Sequence, residues 1–96
     1  MTLKETKSLI NKRLSLDYDY VVENGVYIFS SEVSGKFRID SVCWNGKQED
    51  AENFLVIEYL DLLDGGDSFY PSDYNYDIEK IASDMIKEIE EPIDED

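Results

Sequence analysis

Asn24-Gly25 stands between two β-prone runs, Tyr18 to Glu23 and Val26 to Val33. A two-residue type I′ turn needs positive φ at both central positions, and Asn-Gly is a pair that tolerates it. The two runs are therefore expected to pair as an antiparallel hairpin. Ser34-Gly35 offers a second turn, and Lys36-Phe37-Arg38-Ile39-Asp40 then alternates polar with apolar residues. That alternation predicts a third strand with one wet face and one buried face. It is expected to run to Trp44, where Asn45-Gly46 stops it.

A sheet with one apolar face needs helices to cover it. Thr2-Leu3-Lys4-Glu5 fits a capping box, and Leu3, Ile10 and Leu14 recur on one side of the segment that follows, with Leu9 beside them. At the other end, Ile78, Ile81, Ala82, Met85, Ile86 and Ile89 follow the spacing of a core-facing helix from about Tyr76 to Glu91. Asn75 is the expected N-cap and Pro92 the terminator. Residues 48–63 are ambiguous. Phe54-Leu55-Val56-Ile57 suits a fourth, buried strand. The early acids Glu49, Asp50 and Glu52, the stripe Ala51, Leu55, Tyr59, Leu62 and Leu63, and the Gly65-Gly66 stop favour a helix. The expected fold is α+β, a three-stranded antiparallel sheet packed against two or three helices in the order α-β-β-β-α-α. Residues 54–60 as a fourth strand are the alternative. Residues 1–96 are expected to form a single domain, with 92–96 a frayed acidic tail.

Charge narrows the function. The chain carries a net −14, yet 42% apolar and 12% aromatic residues supply a core. Residues 1–15 hold Lys4, Lys7, Lys12 and Arg13 against Glu5 alone, a net +3 that leaves −17 on the rest. Such a field repels nucleic acid and anionic membranes, and favours basic proteins. No apolar stretch reaches the roughly twenty residues of a membrane span, and no signal-peptide h-region is evident. The lone Cys43, expected to be a small buried hydrophobe, suits a reducing compartment. Lysine outnumbers arginine seven to two, and Ile, Asn and Tyr are frequent. This bias resembles that of an AT-rich bacterial or phage gene, so the expected location is the cytoplasm of a bacterial host cell. Histidine is absent, which removes Ser-His-Asp and Cys-His catalysis and the usual neutral-pH proton shuttle. No phosphate loop is present either. The chain is expected not to be an enzyme and to need no cofactor.

Between Lys47 and Lys80 there is no lysine or arginine, but ten carboxylates are interleaved with aromatic residues. A carboxylate beside a tyrosine can take an arginine bidentately while the ring stacks on the guanidinium. The candidate partner-binding residues are Asp61, Asp64, Asp67, Phe69, Tyr70, Asp73, Tyr74, Tyr76, Asp77 and Glu79. The plainer reading is a solvated acidic loop whose aromatics pack on the core. Asp73-x-Asn75-x-Asp77 also matches the opening of an EF-hand calcium loop. That motif's glycine and bidentate glutamate are replaced by Ile78 and Asp84, so no metal site is expected.

The Asp67-Ser68-Phe69-Tyr70-Pro71 stretch resembles the Asp…Tyr-Tyr-Pro segment of immunity proteins that neutralise DNase colicins. The resemblance covers about a quarter of the chain and implies a recognition role for Asp67, Phe69 and Tyr70 against a basic nuclease. That family is all-helical, whereas residues 18–44 here read as strands, and Phe69 stands where it has tyrosine. In general character (short, acidic, lacking catalytic residues) the chain is also similar to phage anti-CRISPR and anti-restriction proteins that mimic nucleic acid. The expected function is a non-catalytic inhibitor that binds the basic nucleic-acid-binding surface of a nuclease or defence effector. The alternatives are a bacterial immunity protein against a nuclease toxin, or a general protein-interaction module with incidental acidity.

Overall fold

The computed structural model describes residues 2–43, 53–61 and 66–91. Helix α1 (Leu3–Leu14) opens the chain, strands β1 (Asp19–Glu23), β2 (Val26–Ser31), β3 (Gly35–Val42), β4 (Phe54–Tyr59) and β5 (Ser68–Phe69) follow, and α2 (Ile78–Glu90) closes it. The strands form one antiparallel meander in the order β1-β2-β3-β4-β5. The class is α+β, as the residue pattern implied.

Local chemistry sets the helix ends and turns. The Thr2 hydroxyl accepts from the Glu5 N–H at 3.1 Å while the Glu5 carboxylate accepts from the Thr2 N–H at 3.3 Å, completing the capping box. Asn24 and Gly25 hold φ of 52° and 79° in the β1–β2 turn. Gly35 has φ of 77° where β3 begins. At the start of α2 the cap is Asp77, whose carboxylate accepts from the Lys80 N–H at 3.3 Å. Asn75, expected in that role, instead takes a left-handed conformation that ends a 3-10 helix over Pro71–Tyr74.

One face of the sheet is dry. Phe29, Phe37, Ile39, Leu55, Ile57 and Phe69 point from it toward Leu3, Ile10 and Leu14 of α1 and Ile81, Met85 and Ile89 of α2. Each such side chain contributes about 1.5–3 kcal/mol by leaving water. Phe29 and Phe37 stack across β2 and β3 with centroids 5.3 Å apart. Cys43 is half-buried against this core. On the other face of β3 and β4 the side chains are half-buried or exposed, and there Arg38 bonds Glu58 across the pair at 2.8 Å.

The helix expected over residues 48–63 is corrected. Phe54–Tyr59 is a strand, and its register sets Ile39 opposite Ile57 and Ser41 opposite Leu55. Leu55 and Ile57 are fully buried while Val56 and Glu58 alternate outward, which a helix could not arrange. β5 adds a fifth strand through Leu55 opposite Phe69, so the described residues form a sheet of five strands rather than the three expected. The Gly66 N–H donates to the Ile57 carbonyl at 3.0 Å, which brings the chain back beside β4. Glu49, Asp50, Ala51, Glu52, Leu62, Leu63 and Gly65 lie outside the described residues, as do Trp44, the Asn45-Gly46 stop, Pro92 and the acidic tail. No described helix is long and apolar enough to cross a membrane.

Candidate functional site

β5, the 3-10 helix and α2 enclose a groove of about 490 Å³ whose lining includes Asp67, Tyr74, Asp84, Lys87, Glu88 and Glu91. Among the described residues four carboxylates thus face one ammonium. The acids converge because Asp84 and Glu88 lie four apart on one side of α2 and Glu91, the residue that caps its C-terminus, follows three further on, while Ile81, Met85 and Ile89 turn to the core. Asp67 arrives from the opposite wall, at the entry to β5.

Two hydrogen bonds tie the walls together. The Asp67 N–H donates to Glu88 Oε1 at 2.7 Å, and the Tyr74 hydroxyl donates to Asp84 Oδ2 at 2.8 Å. Glu88 carries the electrostatic cost of this arrangement. Burial, and then the neighbouring Asp67 carboxylate, push the Glu88 carboxyl above its ordinary range. Burial and the bond to Asp84 push the Tyr74 hydroxyl up to about 12, so it remains a donor at neutral pH. Burial and the Glu88 charge likewise raise Tyr59. A guanidinium or ammonium entering the groove would relieve this repulsion and find carboxylate oxygens ready to accept.

The sequence-predicted residues separate into groups. Asp67 and Tyr74 line the groove, and Asp73 lies exposed on the 3-10 helix, next in the chain to Tyr74. Phe69 also borders the groove, but its ring is 6% exposed and belongs to the core, leaving little surface for a partner. Tyr70 is half-buried against Phe54, with ring centroids 5.2 Å apart. Tyr76 is half-buried with φ of 58°. Three of the acids are engaged in bonds within the fold. Asp61 accepts from the Lys36 N–H at 2.9 Å beside the β2–β3 turn, Asp77 caps α2, and Glu79 pairs with Arg13 at 2.6 Å. Asp64 lies outside the described residues. Asp84, Glu88 and Glu91 were missed. Their spacing of four and three was the available signal, but they lie past Lys80, beyond the base-free run.

A second acidic concavity, about 390 Å³, lies on the other side of α2, where Asp17, Asp19, Glu32 and Glu90 surround Tyr18. The Tyr18 and Ser31 hydroxyls both donate to Glu90 Oε2 at 3.0 Å. Among the described residues no group of three or more side chains is arranged to hold a metal ion. Comparison with known proteins finds no match: no family model, no curated protein and no solved structure matches the chain.

Proposed function

We propose that this protein is a non-catalytic acidic inhibitor that occupies the basic, nucleic-acid-binding surface of a nuclease or other effector. The observation that carries the reading is the groove itself, where, among the described residues, Asp67, Asp84, Glu88 and Glu91 stand against Lys87. Folding buries Glu88 beside Asp67, and burial first, then the Asp67 charge, raises its pKa, so its ionised form carries a cost in the folded state. A row of cations evolved to hold phosphates offsets the repulsion on binding. Asp73, exposed and next in the chain to the groove residue Tyr74, adds to the local negative charge. In this reading Asp61, Asp77 and Glu79 contribute to the field while their oxygens serve the fold.

The test is capture from a bacterial lysate on immobilised protein, with identification and nuclease assay of what is retained. The expected result is a nucleic-acid-binding protein whose activity is blocked, and which excess duplex DNA displaces. Retention indifferent to DNA, or of proteins without nucleic-acid-binding activity, contradicts the reading. Replacing Asp67 and Asp84 with Asn and Glu91 with Gln should abolish retention without unfolding the chain.

A further inference from the structure

Among the described residues β1 is paired on one side only. The strand order leaves it at the sheet edge, and all five of its residues are exposed, Val21 and Val22 by 57% and 53%. Natural edges are usually blunted by lysine, proline, a bulge or brevity. β1 has no lysine or proline, and its ladder to β2 runs unbroken from Asp19–Ser30 to Glu23–Val26. The two-residue turn makes Glu23 and Val26 the hydrogen-bonded pair that closes the hairpin. Alternation along the strand then directs the N–H and C=O of Tyr20 and Val22 away from β2. The template is stiff, since Tyr20 stacks on Tyr27 with centroids 5.0 Å apart.

Charge selects the occupant. Asp19, Val21 and Glu23 share the outer face of the strand. A second copy pairing antiparallel about Val21 would set Asp19 of each chain opposite Glu23 of the other, and a parallel pair would align like acids. Carboxylates directly opposite each other destabilise a strand pair, here between chains of net −14 each. Beside Asp19, the smaller concavity adds Asp17, Glu32 and Glu90. We propose that β1 is a docking edge for an extended segment of a basic partner, which adds as a further strand and sets Lys or Arg opposite Asp19 and Glu23. The segment has the form base, three β-branched residues, base. The inference rests on the partner being basic, but it uses a different surface from the groove.

The experiment is an NMR titration of the ¹⁵N-labelled chain with a capped peptide, Ser-Lys-Val-Thr-Val-Lys-Ser, and with the same peptide carrying Glu for Lys. The Lys peptide should shift β1 amides and slow exchange at Tyr20 and Val22, while the Glu peptide should not. Val22→Pro removes one outward donor without touching the ladder, and should weaken the Lys peptide at least roughly tenfold. Asp19→Lys with Glu23→Lys should exchange the preference for the two peptides. Equal response to both peptides, undiminished binding by Val22→Pro, or self-association through β1 in sedimentation would overturn the proposal. Asp67→Asn with Asp84→Asn should leave this titration unchanged, so its failure counts against β1 and not against the groove.

Discussion

Glu88 is where fold and charge meet. Its carboxylate braces Asp67 through a 2.7 Å bond from the backbone, yet burial and the Asp67 side chain disfavour its ionised form. A carboxyl whose folded pKa is raised contributes stability below its unfolded pKa and loses it as pH rises through the folded value. Glu88→Gln keeps an acceptor and removes the charge. Its melting temperature should exceed that of the wild type at pH 7, and the gain should shrink as pH falls through the carboxylate range. Thermal denaturation at several pH values measures this; an equal shift at every pH would contradict it.

Two turn glycines make a matched pair at the same scale. Both hold positive φ, but a Cβ on Gly25 would meet nothing within 4 Å, whereas one on Gly35 would lie 2.6 Å from Asp61 Oδ2. Gly25→Ala should cost only the left-handed strain, about 1–2 kcal/mol. Gly35→Ala should cost more, because Asp61 must also leave the Lys36 N–H. Urea denaturation of both variants checks the order, and equal losses would argue against the Asp61 contact.

At the scale of elements, what the residues disclosed depended on how local the deciding interaction is. The capping box of Thr2 and Glu5 and the Asn24-Gly25 turn are settled within four residues of chain, and both were legible. So was α2, whose apolar stripe carries a clean helical period. β4 was not. Phe54-Leu55-Val56-Ile57 is a continuous apolar run without period, and only pairing with Ile39 and Ser41, far away in sequence, decides it. The acidic flank that favours a helix there is a weak local preference, and nonlocal pairing overrides it. The groove was half legible for the same reason, since Asp67 and Tyr74 lay in the acidic run but only the fold brings Asp84, Glu88 and Glu91 to them. The strand makes a plain demand on mutagenesis. Ile57→Ala should cost about 2–5 kcal/mol, and Glu58→Ala, on the opposite face, under about 1 kcal/mol. A helix with Leu55 and Tyr59 inward would not yield that alternation, which denaturant melts can measure.

Over the whole molecule the charge is distributed rather than merely large. Arg13 is engaged by Asp17 and Glu79, and Arg38 by Glu58. The arginines are thus committed to holding elements together, and the two concavities flanking α2 are left acidic. Exposed ion pairs of this kind contribute little stability each. Their consequence is spatial, since they fix where the uncompensated charge remains. A basic partner would meet the acidic groove on one side of α2 and the acidic concavity beside the β1 edge on the other.

The measurement that bears most directly on a phosphate-mimicking role is the salt dependence of affinity for the retained effector, taken for the wild type and for Asp67→Asn/Asp84→Asn/Glu91→Gln. If carboxylates occupy a phosphate-binding surface, log affinity falls steeply and linearly with log salt. Duplex DNA competes, and the triple substitution lowers both affinity and slope. A flat salt response, with DNA unable to compete and the triple variant binding as tightly as the wild type, would contradict it.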